Sequence, residues 1–135
     1  MNTEYLITFV NSFVIRNRRA RFLEFLASKR RYNDFLNELL HDPRHFDPRV
    51  IVELPGNEQT IHHVLSQLRA LGGGETAYMV GDCGEFEDGH TGNLETLLHT
   101  CIGSMEDALV YCLKGNVAYY EGHEGFRLIL RAVPN

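Results

Sequence analysis

The 135-residue chain has no apolar run that approaches the roughly 20 residues needed to cross a bilayer. Its most apolar early stretch, Tyr5–Ile15, is followed by positive charges, whereas a secretory signal carries them before its apolar part. Cysteine is scarce, and Cys83, Cys101 and Cys112 are an odd number without a closely spaced pair, which is typical of reduced thiols. These absences predict a cytoplasmic protein without a membrane partner.

Glycine and proline are absent from the first forty residues, which favours helix. Apolar residues recur there at helical spacing, first as Leu6, Phe9, Val10 and Phe13, then as Phe22, Phe25, Leu26, Tyr32, Leu36, Leu39 and Leu40. The polar cluster Arg16–Arg21 separates the two stripes, and Asn17 tolerates the left-handed conformation that ends a helix. We predict two helices, Thr3–Ile15 and Arg18–His41, with one continuous helix as the alternative.

Short turns rich in glycine divide the last quarter of the chain into three predicted strands, Ala108–Leu113, Val117–Glu121 and Phe126–Ala132. The first two strands are apolar on both faces. The third alternates, with Arg127 and Arg131 on one face. This pattern predicts an antiparallel meander in which two covered strands lie beside a more exposed one.

An irregular linker, 42–49, follows the helices because each of its two prolines restricts the preceding residue to extended geometry. Val50–Leu54 is then typical of a buried strand. A helix is predicted to run from an N-cap at Asn57 to about Leu71, and Thr76–Val80 is predicted as the next strand. A strand, a helix and a second strand joined by short links predict that the two strands pair in parallel through a right-handed crossover.

A loop rich in glycine and acidic residues, Gly81–Gly92, precedes a short predicted helix, Leu94–Ile102, with Asn93 as its N-cap. The predicted order of elements is therefore ααβαβαβββ. This order is that of an α+β fold in which helices pack against a mixed sheet of about five strands.

We expect a single domain over residues 1–135, with a helical N-terminal segment, 1–41, and a sheet-containing part, 50–135. Charge is divided unevenly along it. Residues 1–49 hold nine Lys and Arg against six acids, whereas the remainder holds four against twelve. Opposite charge favours attraction between the two parts within one fold.

The glycine- and acid-rich loop concentrates groups that can bind a ligand. Its candidate residues are Asp82, Cys83, Glu85, Glu87, Asp88 and His90. The loop follows a predicted parallel strand and precedes a helix, which is where open α/β sheets commonly bind ligands. A metal-dependent hydrolase that uses loop 82–90 is therefore the first alternative function, and it requires a pocket where at least two carboxylates converge.

The chain contains no complete metal-binding motif of a known type. The spacing that begins at Asp88 matches the second half of an EF-hand loop, but Gly84 and Phe86 stand where the first half needs oxygen ligands. His62 and His63 are adjacent and would point about 100° apart on a helix. The sequence therefore predicts no metal site, no cofactor and no catalytic residues.

Nucleophilic catalysis by Cys83 would need a nearby base, for which His90 and His123 are the candidates. It would also need a lowered thiol pKa. The acidic neighbours of Cys83 act in the opposite direction, because negative charge disfavours the thiolate. We therefore expect Cys83 to be unreactive.

Basic residues cluster in the N-terminal segment: Arg16, Arg18, Arg19, Arg21, Lys29, Arg30 and Arg31. On a helical wheel they do not share a face, since Arg16 and Arg31 lie opposite the apolar stripe and Arg18 and Lys29 fall within it. A helix that binds nucleic acid normally collects its charge on one side. Nucleic-acid binding through this basic patch is therefore only the second alternative function.

The sequence favours a small non-catalytic binding or interaction domain of unspecified role. Its expected partner is another protein or a second copy of itself, and a homodimer is the commonest form of self-association. The helical N-terminal segment and loop 82–90 are the surfaces expected to make the contact.

Overall fold

A computed structural model describes residues 1–133. Within this range there are five α-helices: α1 (Thr3–Phe13), α2 (Arg19–Leu26), α3 (Tyr32–His41), α4 (Ile61–Ala70) and α5 (Leu94–Cys101). There are also six strands: β1 (Ile51–Glu53), β2 (Thr76–Val80), β3 (Thr91–Asn93), β4 (Ala108–Cys112), β5 (Val117–Glu121) and β6 (Arg127–Arg131). The predicted α+β class is confirmed.

The six strands form one sheet in the order β1-β6-β5-β4-β2-β3, and every neighbouring pair is antiparallel. The predicted parallel pairing of the two strands that flank α4 is therefore wrong. β1 and β2 do run in the same direction, but β6, β5 and β4 lie between them. The C-terminal meander takes the centre of the sheet because β4 and β5 are apolar on both faces and need cover on both.

The sheet is thus antiparallel with six strands, where a mixed sheet of about five was predicted. The additional strand, β3, consists of the last two residues of the segment predicted as a loop, Gly81–Gly92, and of Asn93. It pairs with β2, so that Asn93 lies opposite Thr76 and Thr91 lies opposite Tyr78. None of the residues of β3 is a large apolar residue, so no strand pattern marks it in the sequence.

The single helix predicted over Arg18–His41 is wrong, because the helix is interrupted between α2 and α3. Ser28 is extended, and a 3₁₀ turn, Lys29–Arg31, leads into α3. Both helices still place their apolar residues in one core: Phe22, Phe25, Leu26, Phe35, Leu39 and Leu40. The first predicted helix is confirmed but ends earlier, since Val14 is extended and forms an isolated bridge with Phe46.

The start of α4 also differs from the prediction. Its N-cap is Thr60, whose Oγ1 accepts a hydrogen bond from the backbone N–H of His63 at 3.4 Å, and Asn57 lies in a preceding 3₁₀ turn. The predicted N-cap of α5 is confirmed, because Oδ1 of Asn93 accepts a hydrogen bond from the backbone N–H of Thr96 at 3.1 Å. A cap must lie directly before the first helical residue to reach these N–H groups.

The sheet separates two hydrophobic cores, one against α1, α2 and α3 and the other against α4 and α5. The central strand β4 shows the alternation, since Leu109 and Tyr111 enter the first core and Ala108, Val110 and Cys112 enter the second. All residues of β4 and β5 are buried, which confirms that these two strands are covered on both faces. The fold is therefore a sheet between two helical layers.

Gly115, in the turn between β4 and β5, offers a test of this packing. It has φ +83°, and a Cβ there would clash with the carbonyl oxygen of Gly72. We expect Gly115→Ala to lower the free energy of unfolding by more than the roughly 1–2 kcal/mol that a left-handed alanine costs, as measured by urea denaturation. Gly125→Ala is the matched control, because Gly125 has φ +89° with nothing within 4 Å of the added Cβ. Equal losses for the two variants would contradict a role for the close approach.

Candidate functional site

One end of the sheet brings four chain segments together. β2 and β5 end there and β4 and β6 begin there, as the pairing of Glu121 with Ala108 and with Arg127 shows. The end of α3 joins them, because the hydroxyl of Tyr120 donates a hydrogen bond to the carbonyl oxygen of Leu40 at 2.7 Å. The antiparallel order therefore collects side chains from distant parts of the sequence at this end.

A cluster of His41, Asp107 and His123 lies at this end of the sheet. One potential ligand atom from each residue lies within 4.8 Å of the other two, and no other trio of His, Cys, Asp or Glu within residues 1–133 meets this condition. The rings of His41 and His123 are stacked, with centroids 4.9 Å apart and an angle of 18° between the planes. We call these three residues the His–Asp–His cluster.

Asp107 holds His123 in place. Nδ1 of His123 lies 2.8 Å from Oδ1 and 3.1 Å from Oδ2 of Asp107, and the backbone N–H of His123 also donates to Oδ1 at 2.8 Å. The side-chain hydrogen bond raises the pKa of His123 above its usual value. Nε2 of His123 lies 3.6 Å from Oε1 of Glu124, so a carboxylate lies near each nitrogen of the ring.

A pocket of about 680 Å³ opens beside the cluster. Its polar lining includes Asn37, Glu38, Asp42, His45, Asp82 and Asp107. Burial and the charge of Arg18 lower the pKa of His45, so a neutral ring accepts the Nη1–H of Arg18 at 3.0 Å.

A smaller cavity of about 330 Å³ shares His41 and Asp42 with this pocket and has the exposed ring of Phe126 in its wall. These volumes fall near or within the range of small-molecule sites.

Buried Glu121 positions the segments that carry the cluster. Its carboxylate accepts hydrogen bonds from the backbone N–H groups of Gly103 at 3.3 Å and Met105 at 3.0 Å, and from the hydroxyl of Tyr119 at 2.5 Å. Nε of Arg127 lies 3.5 Å from Oε1 of the same carboxylate. These contacts join the end of β5 to the segment that precedes β4. Glu121 is therefore a positioning residue for both sides of the cluster.

Two of the predicted ligand residues in loop 82–90 hold the loop together. Oδ1 of Asp82 accepts a hydrogen bond from the backbone N–H of Asp88 at 2.7 Å. The carboxylate of Asp88 accepts the backbone N–H of Gly81 at 2.8 Å and the hydroxyl of Tyr32 at 2.6 Å. Burial and the bond to Asp88 raise the pKa of Tyr32 far above its usual value, which keeps this hydroxyl a donor.

The other predicted residues of the loop are dispersed. Glu85, Glu87 and His90 are exposed, and the ring of His90 stacks on Phe86 with centroids 4.9 Å apart. In the part of the chain that the structure describes, no three groups of this loop come close enough to share a metal ion. Asp82 alone among the predicted loop residues lines the pocket beside the cluster.

Cys83 is completely buried, and its thiol donates to Oγ of Ser104 at 3.5 Å. Hydrogen bonding with the Cys101 thiol lowers the pKa of Cys83, and burial opposes that shift. A substrate cannot reach a sulfur atom that has no exposed surface. Cys83 therefore packs as a core residue, as do the other two free cysteines.

The predicted basic patch does not form one continuous surface. Three of its arginines contact neighbouring polar side chains: Arg18 with His45, Arg21 with Glu38, and Arg31 with Asp34. Lys29 and Arg30 are exposed. Arg16 and Arg19 line a groove at the opposite end of the sheet. The helical wheel does not apply to these residues, because Arg16–Arg18 and Lys29–Arg31 lie in 3₁₀ turns and not in one continuous helix.

The His–Asp–His cluster was not predicted from the sequence. His123 was a candidate there only as a base for Cys83. The three residues lie at the ends of different elements: His41 ends α3, Asp107 precedes β4, and His123 follows β5. Their positions at element ends are visible in the sequence. That these ends meet depends on the antiparallel strand order.

Comparison of the chain with protein-family models, with curated proteins and with solved structures found no match. Within residues 1–133, no helix combines the length and the apolar character required to cross a membrane.

Proposed function

We propose that this chain is a binding domain that holds a divalent transition-metal ion, zinc above all, at His41, Asp107 and His123. The observation that carries the proposal is the convergence of two imidazoles and a carboxylate within 4.8 Å at the mouth of a pocket. Zinc is commonly bound by this set of nitrogen and oxygen ligands. The proposal departs from the absence of a metal that the sequence alone predicts.

The ligand set favours zinc over calcium and magnesium. Calcium and magnesium prefer oxygen ligands, whereas imidazole suits zinc and its neighbours among the transition metals. A metal ion would replace the proton between Nδ1 of His123 and Asp107, which lie 2.8 Å apart, and the exposed side chain of His41 would supply the third ligand. Three protein ligands would leave a fourth position for water or for a group of a bound molecule in the adjoining pocket.

Metal-dependent hydrolysis is a second candidate function, now at the cluster rather than through loop 82–90 as a whole. Asp82 and Asp107 both line the pocket beside the two histidines, so a carboxylate is available near a metal-bound water. Zinc lowers the pKa of such a water to about 7. Hydrolysis of a generic ester such as 4-nitrophenyl acetate that depends on zinc and on Asp82 would favour this candidate over simple binding.

Isothermal titration of the metal-free, tag-free chain with ZnCl₂ tests the proposal. We expect one zinc ion per chain, no comparable binding of CaCl₂ or MgCl₂, and a loss of affinity of at least about tenfold in His41→Ala and in Asp107→Asn. Either variant removes one of the three proposed ligands. Light scattering with and without zinc shows whether the expected second copy of the chain takes part.

His99→Ala is the matched control, because His99 is an exposed histidine on α5 outside the cluster. It should bind zinc as the unaltered chain does. If His99→Ala weakens binding as much as His41→Ala, or if neither changes it, the metal lies elsewhere and the proposal is wrong.

A further inference from the structure

A second polar groove, of about 840 Å³, lies at the opposite end of the sheet from the His–Asp–His cluster. Three arginines line it, namely Arg16 in the 3₁₀ turn that precedes α2, Arg19 at the start of α2, and Arg49 just before β1. Its other polar groups include Asn11, Ser12 and Asn116. Asp47 is the one acidic residue in the lining, so the groove carries positive charge in a chain whose formal net charge is −5.

The hydrogen bonds of these residues show which donors remain for a ligand. Arg49 is paired with Asp47, since its Nη2 lies 2.8 Å from Oδ2 and its Nε lies 3.2 Å from both oxygens. Arg19 uses Nε to bind the carbonyl oxygen of Val14 at 2.8 Å, which leaves its two Nη groups available. Arg16 has no side-chain hydrogen bond or ion pair among the described residues.

The amide of Asn116 helps to build the groove. It donates a hydrogen bond through Nδ2 to Oγ of Ser12 at 2.8 Å, and its Oδ1 accepts the hydroxyl of Tyr111 at 2.7 Å. This chain of bonds ties the β4–β5 turn to α1. The part of the groove that Ser12 and Asn116 line is therefore held by hydrogen bonds between two elements of the fold.

We propose that this groove binds a small organic anion that carries a phosphate group. Two guanidinium groups with free N–H donors suit the oxygens of a phosphate, which they can bind in pairs. The volume exceeds what inorganic phosphate alone would fill and lies in the range of small-molecule sites. The two arginines with free donors, Arg16 and Arg19, line a concavity, so a small ligand fits it better than a nucleic-acid duplex does.

The test is an NMR titration of the metal-free, ¹⁵N-labelled chain with ribose 5-phosphate and with inorganic pyrophosphate. We expect chemical-shift changes at the backbone amides of Asn11, Ser12 and Asn116. Arg16→Gln should weaken binding of both probes about tenfold, the effect of one charge-assisted hydrogen bond. Arg16 makes no contact that the fold needs, so this variant should melt at the same temperature as the unaltered chain.

Two control variants separate this proposal from other interpretations. Arg30→Gln removes an exposed arginine outside the groove and should leave binding unchanged. His41→Ala should also leave it unchanged, which keeps this site distinct from the proposed zinc site.

Absence of shifts at the groove would overturn the proposal. Equal binding of citrate would show a general anion site and overturn the preference for phosphate. Much tighter binding of a single-stranded oligonucleotide, with a steep salt dependence, would overturn the small ligand in favour of nucleic acid.

Discussion

Glu121→Ala is expected to lower the free energy of unfolding by about 3–5 kcal/mol, the usual cost of removing one partner from a buried ionic contact. The carboxylate is fully buried and accepts hydrogen bonds from two backbone N–H groups and from Tyr119. Without it, these donors lose their acceptor. Arg127 keeps a buried Nε that has no other partner within the described residues. Each buried donor that is left without an acceptor lowers the free energy of unfolding further.

Urea denaturation followed by circular dichroism measures this effect. Glu124→Ala is the matched control, because Glu124 is an exposed glutamate three residues further along and should change stability by no more than about 0.5 kcal/mol. Glu121→Gln keeps the shape of the side chain but removes its charge, so it should fall between the two. A loss below about 1 kcal/mol for Glu121→Ala would contradict the positioning role.

Zinc affinity is expected to fall about tenfold for each pH unit below the pKa of His123, because a protonated imidazole cannot bind a metal. The hydrogen bond to Asp107 raises that pKa, so the fall should begin at a higher pH than for an isolated histidine. Competition between zinc and protons is measured by repeating the titration across a pH series.

Asp107→Gln is the informative variant for this pH series. It removes the charge that raises the pKa of His123, so the remaining weak zinc binding should persist to lower pH. In the absence of metal, the pH dependence of folding stability runs in the opposite direction to that of zinc affinity. A raised folded-state pKa stabilises the fold below the unfolded pKa of His123, and this contribution is lost as the pH rises through the folded pKa. An unchanged inflection in Asp107→Gln would show that Asp107 does not set the pKa of His123.

Much of the fold could be predicted from local patterns. β4 and β5 are identifiable because all of their residues except Glu121 are apolar and a glycine-containing turn follows each, and β6 is identifiable because its faces differ. The break at Ser28 has only one mark in the sequence, Lys29, which falls within the apolar stripe. β3 has no pattern of its own, and it is a strand only because β2 offers an unpaired edge.

The pairing of the strands is the main feature of the fold that the sequence did not predict. The local order of β1, α4 and β2 is the same for adjacent parallel strands as for strands that three others separate. The contact of β1 with β6, in which Val52 lies opposite Ile129, depends on residues far apart in the chain. The His–Asp–His cluster depends on the same strand order, so a search for closely spaced metal ligands finds the acidic loop instead.

The most direct test of the central proposal is a crystal structure of the chain soaked in zinc, with diffraction data recorded on both sides of the zinc absorption edge. We expect one strong anomalous peak bonded to His41, Asp107 and His123, with a fourth position that faces the pocket. A peak elsewhere on the chain, or an unoccupied cluster beside well-ordered histidine rings, would contradict it.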